Sequence, residues 1–175
     1  LYSETGRAFV PPWPNVPTLE SGLSYIGTCV FEGTNLSEGR GTATPFQWIG
    51  APWLDTKELA AAMRALQLPG VLFRRAAFVP TFSKFAGQNV NALMLHVTDA
   101  RVYQPFATGL YLLDQARRQA GFAWLPPAEG GGWHIDHLLG TDAFRRGMSA
   151  RELIAAHAPR VKAFGEQARE WFLYE

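Results

Sequence analysis

The sequence predicts an α+β fold: a single compact domain in which a mixed sheet carries helices packed on it and a long helix closes the chain. Three observations predict it. Segments that read as strands, residues 71–79 and 92–98, stand among segments whose apolar residues recur at helical spacing. The 175 residues are 47% hydrophobic and 13% aromatic, enough for one core. Charged residues make up only 18%, against ~25% in an ordinary soluble domain, so the composition excludes a disordered chain.

The elements follow in order. Residues 1–17 form an extended strap, with Pro11, Pro12, Pro14 and Pro17 around Trp13, because each proline fixes φ and disfavours helix just before it. The domain proper is placed at 18–175. Residues 18–25 read as a short helix with Pro17 near its first turn. Thr28-Cys29-Val30-Phe31 is β-branched and apolar and reads as a short strand. The polar loop 32–42 follows, then an aromatic, apolar run over 46–53. Asp55 caps a helix carrying Leu59, Met63 and Leu66, stopped at Pro69-Gly70. In the strand 92–98, Leu93, Leu95 and Val97 share one face, and Met94, His96 and Thr98 the other. A helix is expected over 104–120, then a loop with Gly130-Gly131-Gly132, then a helix over 135–147. Ser149 and Glu152 form a capping box opening a last helix, whose stripe Leu153, His157, Val161, Phe164, Ala168 and Trp171 is expected to face the core.

Composition also excludes function classes. The formal net charge is +1, and the basic residues fall in isolated pairs, so nothing suits a nucleic acid. The lone Cys29 excludes an internal disulfide and a cysteine-rich zinc site. No apolar run nears the ~20 residues of a membrane helix. The chain opens Leu1-Tyr2-Ser3 without methionine, so either a start has been removed or this is part of something longer.

The loop 32–42 carries the chemistry best. Its eleven residues hold Glu32, Glu38, Arg40, Asn35, Ser37, Thr34, Thr42 and three glycines. A guanidinium matches a carboxylate or phosphate, Asn and hydroxyls orient sugar hydroxyls, and glycines let backbone approach a ligand. The alternative is a structural Ω-loop in which Arg40 pairs with Glu32 or Glu38 and the hydroxyls satisfy turns. His96, near a strand end, is a second candidate, against a plain core histidine. His134 and His137 share a helical face with Asp136 beside them, but no third ligand is visible, so no metal is expected. Ser83-Lys84 reads as a solvated turn, and His157 as structural. Trp13, Trp48, Trp53 and Trp133 lie in loop-like segments and suit sugar faces, though most tryptophans are simply large core fillers.

The stretch from Pro14 to Glu20, the block Tyr25-Ile26-Gly27-Thr28-Cys29-Val30-Phe31-Glu32-Gly33-Thr34-Asn35-Leu36-Ser37-Glu38-Gly39-Arg40-Gly41-Thr42, and Ile49-Gly50-Ala51-Pro52-Trp53 together resemble the NamZ-type exo-β-N-acetylmuramidases. Leu68-Pro69-Gly70-Val71, Pro80-Thr81-Phe82-Ser83-Lys84, His96-Val97-Thr98-Asp99 and Asp136-x-Leu138-Leu139-Gly140 extend the resemblance over the chain. It implies the second domain of a two-domain bacterial glycoside hydrolase that removes N-acetylmuramic acid from non-reducing ends of peptidoglycan fragments in cell-wall recycling. The Rossmann-like first domain, absent here, would carry the catalytic glutamate, and the site would lie between the domains. The implied partners are a muramic-acid glycan or muropeptide and that N-terminal domain, in the periplasm or outside the cell, with no cofactor. On this reading Arg40 meets the lactyl carboxylate, Asn35, Ser37, Glu38 and Thr42 orient hydroxyls or hold the loop, and Glu32 and His96 are direct or indirect partners. The sequence departs from the family at Thr44, where a basic residue is usual. A non-catalytic glycan-binding module and a purely structural domain stay open as alternatives, and the isolated chain is expected to be inactive.

Overall fold

Helix α1 (Leu19–Thr28) opens the ordered body, its first turn capped by Thr18, whose hydroxyl accepts from the Ser21 amide at 3.1 Å. This computed structural model describes residues 2–127, 129 and 131–172; Leu1 and Gly130 lie outside the described residues. From α1 the chain tightens into a 3₁₀ turn, Cys29–Gly33, where a strand was expected over 28–31. The β-branched Thr28 bends its hydroxyl back to the Ser24 carbonyl and across to that of Phe46. Val30 and Phe31 are apolar because they enter the core, not because a strand pairs there.

Three strands form the sheet: β1 (Trp48–Ala51), β2 (Val71–Phe78) and β3 (Val90–Val97), in the order β1-β3-β2. Ile49 lies opposite Leu93, and Phe73 opposite Leu95. Both pairings are antiparallel, where a mixed sheet was expected. A parallel neighbour needs a long crossover, whereas β2 and β3 are joined directly by residues 79–89. Leu93 and Leu95, predicted to share a face, both lie fully buried.

Helices α2 (Thr56–Ala65) and α3 (Pro105–Ala116) cover that face. Asp55 caps α2 through the amides of Lys57 and Glu58. Leu110, Leu112 and Leu113 of α3 and Leu59 and Met63 of α2 fill the space above the sheet. Helix α1 crosses α3 where glycine faces glycine. A Cβ on Gly27 would strike the Pro105 carbonyl, and one on Gly109 would strike the Gly27 carbonyl.

Near this crossing, the hydroxyls of Tyr103 and Ser24 are buried without a hydrogen bond of normal geometry. Burial pushes the Tyr103 phenol from 10.0 up to about 12, and the neighbouring Ser24 hydroxyl offsets this only in part. Above the ordinary phenol pKa the unfolded chain loses this proton while the folded chain keeps it. Stability therefore falls as pH rises from 10.0 toward about 12. Tyr103→Phe is expected to remove that decline and to leave neutral-pH stability unchanged or up to about 1 kcal/mol higher. Urea unfolding at neutral and alkaline pH reads both; an equally steep decline in the variant assigns it to other groups.

Helix α4 (His134–Leu139) is shorter than the 135–147 expected, because Gly140 turns the backbone left-handed at φ +66° and stops it. Helix α5 (Ala150–Ala168) starts with the capping box anticipated at Ser149 and Glu152. Its stripe does not face the core as expected. Leu153 is buried, but Val161, Phe164 and Trp171 are 67%, 71% and 77% exposed. The helix is anchored by its first turn and then runs beyond the elements it packs on.

Candidate functional site

The polar loop after the 3₁₀ turn is largely interior rather than superficial. Thr34, Leu36, Ser37 and Glu38 are all buried. Such a segment is stable only if its polar groups find partners inside. The Thr34 hydroxyl donates to the Phe31 carbonyl and accepts from the Leu36 amide. Asn35 donates to the Gly121 carbonyl and accepts from the Ala123 amide, pinning the loop to a distant segment. Ser37 exchanges backbone hydrogen bonds with Gly50, and its hydroxyl accepts from the Gly39 amide. The Thr42 hydroxyl donates to the Gly39 carbonyl at 2.6 Å. Gly39 and Gly41 adopt φ of +79° and +81°, and a Cβ on Gly41 would meet the Phe82 backbone at 2.6 Å.

At the centre, Glu38, with a side chain only 3% exposed, holds two cations. Its Oε1 accepts from Arg40 Nε at 2.8 Å and its Oε2 from Lys84 Nζ at 3.0 Å. Lys84 also donates to the carbonyls of Phe31 and Leu36, so its three ammonium protons match three acceptors. The residues on either side, Ser83 and Phe85, take left-handed φ of +72° and +62°. Burial pulls the Lys84 ammonium below its ordinary 10.5, more than Glu38 raises it. That burial cost is present at neutral pH and is relieved as pH rises toward 10.5. The solvated turn expected at Ser83-Lys84 is thus an internal cation clamp.

Arg40 packs on two adjoining rings: its guanidinium carbon lies 4.7 Å from the Trp13 centroid and 5.0 Å from that of Phe46, and those centroids are 6.4 Å apart. Phe46 takes φ +68°, rare for a bulky residue, and packs edge-on against Tyr25. Arg40 Nη2 donates to Glu32 Oε1 at 2.5 Å, while Nη1 makes no hydrogen bond among the described residues. Glu32 Oε2 faces His134 Nε2 at 3.8 Å. The side chains of Glu32, Arg40 and His134 are 26%, 18% and 51% exposed, so they form the open edge of the cluster.

The structure therefore brings Glu32, Glu38 and Arg40 together, and it adds Lys84, Trp13, Phe46 and His134. The side chains of Ser37 and Thr42 bond the loop's own backbone, and that of Asn35 bonds the backbone of residues 121 and 123. Arg40 pairs with both Glu32 and Glu38, as the Ω-loop reading required of at least one. His96 stands apart on β3, where its Nε2 accepts from Arg74 Nε at 3.3 Å. The Thr44 hydroxyl accepts from Trp48 Nε1 at 2.7 Å. The lysine was missed because its partner Glu38 lies far away in sequence, although two carboxylates beside one arginine already signalled a missing cation. Asp136 forms a two-pronged pair with Arg145, and no cluster of three metal-ligating side chains stands among the described residues.

Comparisons with known proteins agree with this architecture. The family described as "Exo-beta-N-acetylmuramidase NamZ, C-terminal" matches residues 23–174. The peptidoglycan beta-N-acetylmuramidase NamZ of Bacillus subtilis is 35% identical over 99% of this chain, which spans 42% of that relative. Two crystal structures of DUF1343 family proteins from Bacteroides fragilis share the fold. One has a TM-score of 0.81 at 21% identity, covering 99% of this chain and 47% of its own. The other has 0.65 at 23% identity, covering 94% and 44%. The chain thus spans less than half the length of the proteins it matches. By the residues matched and the identity over nearly its whole length, it belongs to the NamZ exo-β-N-acetylmuramidase family, as that family's C-terminal domain.

Proposed function

We propose that this domain forms one wall of the substrate cleft in a peptidoglycan hydrolase that releases N-acetylmuramic acid from non-reducing ends during cell-wall recycling. The catalytic carboxylates of such a hydrolase belong, on this reading, to a preceding domain. The observation that carries the reading is the open edge of Glu32, Arg40 and His134 lying beneath Trp13, on the strap by which the chain arrives. Muramic acid differs from glucosamine by a lactyl carboxylate, and the unengaged Arg40 Nη1 is a charged donor for it. Glu32 Oε2 accepts from a sugar hydroxyl, and His134 adds a donor when protonated. Glu38 and Lys84 hold Arg40 in place from within and touch no ligand.

One observation favours a second reading. The stacking and double pairing of Arg40 suit a purely structural clamp between strap and loop. Arg40→Lys in the longer protein separates the two, because it keeps the charge and deletes Nη1. With a chromogenic N-acetylmuraminide, the cleft reading expects KM to rise about 10- to 100-fold with kcat little changed, the loss of one charged hydrogen bond. A lowered Tm with unchanged KM assigns Arg40 to the clamp alone.

A further inference from the structure

We infer that the outward face of α5 is the seat of the polypeptide that precedes this domain. The inference rests on the reading that such a domain exists, but its test does not depend on catalysis. Val161 and Phe164 stand 67% and 71% exposed on one side of a helix whose other residues are mostly small or charged, and Trp171, in the 3₁₀ turn that follows it, is 77% exposed. Large apolar side chains in a continuous stripe are seldom left to water.

The face is shaped as well as apolar. Ile154, His157 and Val161 form one side of an open groove of about 440 Å³, and Gln104, Pro105 and Phe106 at the start of α3 form the other. Across the helix, Leu139 and Gly140 at the end of α4 line a second groove with Phe164. Pro159 lies within the unbroken helix, by helical spacing on the side away from the stripe.

Two observations say what that body is. More than half of the Bacillus subtilis relative lies outside the match, so a body larger than this domain has to be accommodated. The strap also comes to this place: Glu4 pairs with Arg101 at 2.7 Å, and Arg101 stands three residues before Gln104 at the rim of the groove. Glu4 is thus tied to the segment that leads into the α3 side of the groove. Helix α4 then connects the two regions, with His134 at the open edge of the ionic cluster and Leu139 against the α5 groove, about 8 Å apart along its axis. One neighbour seated on α5 therefore reaches the cluster.

Thiol labelling in the longer protein tests this. Val161→Cys and Phe164→Cys place a probe in the stripe, and Ala163→Cys places one on the exposed opposite side. Each is labelled with N-ethylmaleimide over a dilution series, with light scattering reporting the oligomeric state, and read by mass spectrometry. The expected result is labelling at least about tenfold slower at 161 and 164 than at 163, with Tm close to the parent's. Two probes guard against one that disturbs packing. Equal rates at all three positions overturn the inference. So does protection that disappears on dilution together with a dimer, which gives the face to a second copy. Loss of muramidase activity, or its absence, leaves the labelling result unchanged.

Discussion

Glu38→Gln is expected to destabilise the fold by about 2–4 kcal/mol, below the 3–5 kcal/mol typical of breaking a fully buried pair because Arg40 and Lys84 keep some solvent access. The glutamine oxygen can serve one cation, but its amide protons then point at the other. The residue that neutralises Arg40 and Lys84 together is lost, and neither cation can withdraw easily. Arg40 packs on the adjoining rings of Trp13 and Phe46, and Lys84 is also held by the carbonyls of Phe31 and Leu36. Urea unfolding measures the loss, and thermal unfolding should show about 2–4 °C for each kcal/mol in a domain of this size. Glu32→Gln, at the 26% exposed edge, should cost less than about 1 kcal/mol. Equal costs for the two variants contradict the assignment of Glu38 as the centre of the cluster.

Gly109→Ala is expected to cost about 3 kcal/mol or more, although alanine is the better helix former. The added methyl would overlap the Gly27 carbonyl, and main chain on both sides has no rotamer by which to yield. The helices can only separate, which opens the core around Leu110 and Leu113. Gly165→Ala in α5 makes the contrast, since nothing lies within 4 Å of the new Cβ, and there a gain of about 0.5–1 kcal/mol is expected. Denaturant midpoints of the two variants should move in opposite directions. A Gly109→Ala protein as stable as its parent shows that α1 and α3 do not cross so closely.

What the sequence made legible was local. The caps at Asp55 and at Ser149 with Glu152, and the inward pair Leu93 and Leu95, depend on neighbours a few residues away and were all found. Residues 28–31 misled because a β-branched apolar run has the same composition whether it pairs in a sheet or turns into a core. The α5 stripe misled differently. Periodicity reveals that one side of a helix is apolar, but not whether the body covering it lies within the same domain. In the candidate site, Glu32, Glu38 and Arg40 were legible as a group, because loop residues of opposite charge and close spacing can meet. Lys84 and Trp13 were not, since the fold brings them in from other segments. Asn35, Ser37 and Thr42 have the side chains a ligand would need, and the same polarity serves buried irregular backbone, which their side chains bond here.

The most direct measurement of the central claim is a crystal structure of the longer protein with N-acetylmuramic acid bound. The lactyl carboxylate is expected about 3 Å from Arg40 Nη1, with Glu32 on a sugar hydroxyl and the preceding domain closing the opposite side. A sugar bound elsewhere, with Glu32, Arg40 and His134 turned away from it, contradicts the account and leaves the cluster a clamp.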